Sequence, residues 1–200
     1  MKKTIFLAIL IAAFVNGCAG HPLIGEEKPV GHSDGEKPSL TTIKTERGCE
    51  VEKDIRTCLG ISSNTADLDV ALRIAELDAK QSIVEAIQTE IRTQGLLGLS
   101  GRQADHVGRF FEAALAYVTN NIRVSGAMPH QSYWEKYSRT HYPRISYFYL
   151  GYATVRISEA DYQFARNMIA EDVIKAAMEQ KDKDAEHAAR NAQQRLLGKK

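Results

Sequence analysis

Long apolar runs are scarce in this 200-residue chain, and no stretch of the sequence reaches the roughly 20 apolar residues that a membrane-spanning helix needs. Charge of either sign is also missing in excess. Lys and Arg number 26 and Asp and Glu 25, a formal net charge of +1, which becomes −1 once Lys2 and Lys3 are set aside with the first 17 residues. A near-neutral body has no field to gather nucleic acid or anionic lipid, so a nucleic-acid partner is not expected. Catalytic signatures are absent too. There is no G-x-S-x-G, and "GLLGLSG" lacks the lysine of a phosphate-binding loop. The six histidines, His21, His32, His106, His130, His141 and His187, never take the i, i+4 spacing of a helical metal site. These absences lead to the expectation of no enzyme, no cofactor and no metal.

Cysteine is rare, and its count is odd: Cys18, Cys49 and Cys58. Cys18 follows "MKK", a short basic segment, and "TIFLAILIAAFV", an apolar run of about a dozen residues. That arrangement is expected to be an export signal. "VNGC" places Val15, Asn16 and Gly17 directly before Cys18 and resembles the bacterial lipobox. That resemblance implies a diacylglycerol-modified Cys18, cleavage before it and acylation of the new amine. Ala19 follows in place of the aspartate that retains such proteins at the inner membrane. The implied address is the outer membrane, on its periplasmic or surface face. Cys49 and Cys58 would then remain as a pair, either bridged in a disulfide-permissive compartment or standing as two buried thiols.

The expected organisation is a signal over 1–17, a lipidated tether over 18–48, a domain over 49–180 and a charged tail over 181–200. The tether holds Pro22, Pro29 and Pro38, five glycines and no aromatic residue, a composition suited to a flexible coil of roughly 30 Å end to end. In the domain, Arg56 to Ile61 is a candidate strand leading to a turn at Gly60. Asn64 to about Gln94 has helical periodicity, with Asn64 as cap, and Ala71, Ala75 and Ala79 make one side thin enough for close packing. A second helix is expected from Arg102 to Asn121 and a short strand over Ile122 to Met128, ended by Pro129. Ile145 to Ile157 alternates as a long strand, and "SEAD" caps a third helix. The sequence after Gln180 reads as a fraying, solvated helical extension. The fold class is therefore α+β: a small, mainly antiparallel sheet packed against about three helices.

Eight aromatics fall between Tyr133 and Tyr152. Most belong to strand and core. Trp134, Tyr137 and Tyr142 precede the long strand in loop-like sequence and are the candidate binding surface.

"CLGISSNTADLDVALRIAELDAKQSIVEAI" (Cys58 to Ile87) and "SYWEKYSRTHYPRISYFYLGYATVRISEADY" (Ser132 to Tyr162), together with the lipobox, resemble the Lpp-twenty-type bacterial outer-membrane lipoproteins, some of them flagellum-associated. The resemblance implies a non-enzymatic envelope protein with a structural or assembly role, partnered by the membrane through its lipid and by itself or other envelope proteins. The alternative expectation is a ligand-binding or adhesive surface module that uses the aromatic loop.

Overall fold

A computed structural model describes residues 26–38, 48–119, 124–141 and 143–198. It is an α+β fold: five strands in one antiparallel sheet, with helices on one face. In chain order the elements are β1 (Glu27–His32), β2 (Gly48–Glu52), β3 (Ile55–Ile61), α1 (Leu68–Leu96), α2 (Gly101–Thr119), β4 (Met128–His141), β5 (Arg144–Ser158), α3 (Glu159–Glu179) and α4 (Lys183–Leu197). The sheet order is β1-β4-β5-β3-β2. The two short strands β1 and β2 thus form the edges, and the long β4–β5 hairpin forms the centre.

The seating of α1 follows from residue size. Ala71, Ala75 and Ala79 are fully buried and face the backbones of β3 and β5. A Cβ at Gly60 would stand 2.1 Å from the Ala75 carbonyl oxygen, and one at Gly151 would stand 2.6 Å from that of Ala71. No side chain fits between helix and sheet at either point. The close packing expected of the alanine stripe is present. Gly60 does not make the expected turn; it lies within β3, paired with Ala153 of β5.

Helix ends obey local chemistry. Asp67, rather than the expected Asn64, caps α1, its carboxylate accepting from the Val70 N–H at 3.1 Å. The preceding Thr65 is taken up by a bridge to Tyr149 of β5. The helix also runs two residues past Gln94, because Gly95 meets the Phe111 ring of α2 where any Cβ would clash. Ser158 caps α3 as expected, accepting from the Asp161 N–H at 3.0 Å. In α2, Val107, Phe110, Phe111, Ala114 and Leu115 are buried, as the apolar stripe required.

Three expectations are corrected. The proposed tether contains β1, which pairs with β4 from Glu27 opposite Arg139 to His32 opposite Glu135. The rest of that tether, 18–25 and 39–47, lies outside the described residues. Pro129 does not end a strand, and the expected strand is displaced. Its first residues lie outside the described set, whereas β4 begins at Met128 and passes Pro129 through a register shift against β5. Proline has no N–H to donate, and a bulge is where a ladder tolerates that loss. The charged tail is not a solvated extension. Its helix α4 buries Ala185, Ala188, Ala189, Ala192 and Leu196, packing as the fourth helix among the described residues.

Replacing Gly60 with Ala should cost about 3 kcal/mol or more, since helix backbone occupies the Cβ position; a urea melt reads it as a fall in midpoint. Leu196 is 2% exposed, so Leu196→Ala should cost about 2–5 kcal/mol. A solvated tail would give no change in the same melt.

Candidate functional site

Strand alternation splits the aromatic segment in two. On β4, Tyr133, Glu135 and Tyr137 point away from the helices, whereas Trp134 and Lys136 lie on the helix side. Tyr137 stacks on Phe148 at 5.4 Å between centroids; Trp134 meets Tyr149 edge-to-face at 5.9 Å. Both residues stand in a strand, not the expected loop, and they face opposite ways. Trp134 and Tyr137 therefore do not share one binding surface. Tyr142 lies outside the described residues, as does Cys18.

The face without helices carries a polar cluster that sequence reasoning missed. After β1 the chain turns over the sheet, and Lys37 reaches Glu135 at 3.2 Å and sits 3.9 Å above the Tyr152 ring. The hydroxyls of Tyr137 and Tyr152 both donate to Glu135 at 3.0 Å. Burial pushes the Glu135 carboxyl upward, but the donors Tyr152, Tyr137 and Lys37 outweigh it and hold the group below its ordinary value. Burial likewise works against the Lys37 charge, yet Tyr152 and Glu135 leave its pKa raised. Tyr137 and Tyr152 are raised, first by burial and then through Glu135. A carboxylate already accepting from three side chains is a weak proton acceptor, and raised tyrosines are weak nucleophiles. What the cluster accomplishes is to pin the segment over 33–38, whose Pro38 is buried, onto Glu135 and Tyr152.

On the helical side, Arg56 of β3 lies 3.6 Å over the fully buried Tyr162 ring of α3. The Tyr162 hydroxyl donates to Glu90 at 3.0 Å, and Arg166 donates to the same carboxylate at 2.9 Å. Burial drives the Tyr162 pKa up, beyond what the neighbouring Arg56 can offset. An open cleft of about 480 Å³ borders this network, lined by Cys49, Arg56, Ser82, Glu85 and Glu90 among others. Of its acids, Glu90 lies 3.8 Å from Arg56, while Glu85 accepts from Gln81 and Asp78 accepts from the Ile61 N–H. Among the described residues no group of three His, Cys, Asp or Glu side chains stands close enough to share a metal ion.

Cys49 and Cys58 form a disulfide. They sit directly opposite each other on β2 and β3, with Cα atoms 4.1 Å apart, and the hairpin turns at Lys53 and Asp54, both with positive φ. Of the two readings of this pair, the bridged one holds. No family model, curated protein or solved structure matches the chain.

The pinned cluster generates a pH dependence. Glu135 is depressed in the folded state, so its contribution is full above the ordinary carboxylate value of 4.5 and is lost as pH falls through the lower folded value. Glu135→Gln should cost about 1–2 kcal/mol at neutral pH, and the gap from wild type should close on acidification below that window. Urea midpoints measured across pH check this; a gap independent of pH would contradict it.

Proposed function

We propose that this chain is a bacterial envelope lipoprotein, held at the outer membrane by acyl chains on Cys18, with a structural or assembly role rather than a catalytic one. The observation that carries this reading is the Cys49–Cys58 disulfide. It belongs to an oxidising compartment, which suits the export signal, and it accounts for two of the three cysteines. The third, Cys18, is the cysteine of the lipobox-like "VNGC". Several acyl chains together make a stable anchor at about 0.8 kcal/mol per buried CH2. No described helix is long and apolar enough to cross a membrane.

The non-catalytic part of the proposal draws on the saturation of the titratable clusters. Glu135 and Glu90 are each shared among several donors within the fold. Partners in this reading are other envelope proteins or further copies of the chain, with the short edge strands β1 and β2 available for strand pairing.

Intact-mass measurement of the protein extracted from envelopes tests the anchor. The expected mature chain begins at Cys18 and carries diacylglycerol and an amide-linked acyl group, and Cys18→Ser should carry neither. A mature wild-type chain free of lipid overturns the proposal.

A further inference from the structure

The β4–β5 hairpin is longer than anything that covers it. β3 pairs with β5 only from Tyr152 to Ser158, and Thr65, just ahead of α1, bridges to Tyr149. Residues 144–148 of β5 lie beyond both, paired with the 137–141 stretch of β4. On the helix-side face of this projecting end, Ile145 is 58% exposed and Tyr147 52% exposed. Lys136 lies over the same face, 5.0 Å from the Tyr147 ring and 5.3 Å from that of Tyr149. Arg144 is exposed at the turn.

Charge is lopsided here, although the whole chain is near neutral. Between Glu135 and Glu159 the sequence has no acid, but has Lys136, Arg139, Arg144 and Arg156. The alongside strand brings Glu26 and Glu27, which pair with Lys28 and Arg139 respectively. Among the described residues, Lys136 and Arg144 have no acidic partner. Further acids stand on neighbouring segments: Asp67, the cap of α1, Asp69 in its first turn, and the exposed Asp34 and Glu36 in the stretch that follows β1. Exposed Tyr and Ile beside unpaired Lys and Arg suit the boundary between anionic headgroups and acyl chains.

Chain connectivity points the same way. Glu27, the first residue of β1, pairs with Arg139 near the hairpin tip, so the N-terminal segment joins the fold at this end. Only eight residues separate Cys18 from Glu27. Even fully extended they reach about 30 Å. An anchor on Cys18 therefore keeps the hairpin tip within about 30 Å of the lipid.

We propose that the projecting end of the β4–β5 hairpin docks on the anionic bilayer surface, with Ile145 and Tyr147 entering the interface and Lys136 and Arg144 meeting lipid phosphates. This rests on the anchor reading for its geometry. It fixes the domain's orientation: hairpin tip toward the membrane, helices α3 and α4 away from it.

The test uses the full chain with a tryptophan moved to the tip. The protein has one tryptophan, Trp134, so Trp134→Phe combined with Tyr147→Trp puts the only indole on the patch. The protein is reconstituted into vesicles of phosphatidylethanolamine and phosphatidylglycerol carrying brominated acyl chains, and separately into brominated phosphatidylcholine vesicles. The expected result is a blue shift and quenching at position 147 on the anionic vesicles, lost on the neutral ones and lost when Lys136→Gln and Arg144→Gln are added. The wild-type Trp134, nearer the root, should respond less. Vesicle flotation in high salt reads the anchor independently. Protein that floats in high salt with an unquenched tip keeps the anchor and overturns the docking. A quenched tip on protein that salt releases supports the docking and removes the anchor. A blue shift that grows with protein concentration in the absence of vesicles shows that a second copy occupies the patch, and it also overturns the proposal.

Discussion

Everything in this fold is referred to the contact between α1 and the two glycines beneath it. Because helix backbone occupies the space of a Cβ at Gly60 and Gly151, the helix lies on the sheet with only alanine between. Apart from Val84, the buried residues of α1 then recur at a spacing of four: Ala71, Ala75, Ala79, Ile83, Ile87, Ile91, Gly95. Each such step overshoots a helical turn by about 40°, so from Ala71 to Gly95 the buried line winds by about 240° around the helix. One ridge thus serves two layers. Its alanines lie on the sheet, and Gly95 receives the Phe111 ring of α2. The isoleucines between them fill the wider space among the helices. Residue size along a single line sets the distance at which each neighbour sits.

The second constraint is electrostatic and ties the last part of the chain to the first. Arg56, Tyr162, Glu90 and Arg166 join β3, α3 and α1, and Arg166 also donates to the Leu196 carbonyl at 3.2 Å, closing the C-terminal end of α4. A charge this buried is tolerable only because each member has a partner on another element. The network therefore holds α4 in register with a strand that precedes it by more than a hundred residues.

The legible parts of the fold were those where one face is apolar and the other is not. The alanine stripe, the Ser158 cap and the alternation of β5 all stood in the sequence for that reason. The illegible parts fail for different physical reasons. β1, "EKPVGH", has a proline, a glycine and no alternation; its strand character comes from pairing with β4 rather than from its own residues. β4 carries aromatics and charges on both faces, so its period of two is masked, and Pro129 looks like a stop although it marks a bulge. α4 reads as solvated in the sequence because its buried residues are nearly all alanine, which adds little to any hydropathy sum. Yet Ala185, Ala188, Ala189, Ala192 and Leu196 keep helical spacing, and that spacing was the missed signal. At the candidate site the cysteine count left a disulfide as one of two readings, and the facing positions on β2 and β3 decide between them. The Lys37–Glu135 pair had no local trace, since its members are brought together across 98 residues.

The alternation within β4 also determines where function can reside. A strand of β5's fifteen residues spans about 50 Å, against about 23 Å for the seven of β3. The outer end of the hairpin therefore adds nothing to the main core cluster, although Phe148 is buried on the face away from the helices. That end is held straight by its own cross-strand contacts, the Tyr137–Phe148 stack and the Arg139 guanidinium 5.1 Å from the Phe148 ring, with Glu27 of β1 paired to the same arginine. All of these lie on the face away from the helices. The opposite face is left with Ile145 and Tyr147 exposed, and no packing duty there requires those residues. Stability needs only the stiffened face, so selection is free to set the other one by what it meets outside the molecule.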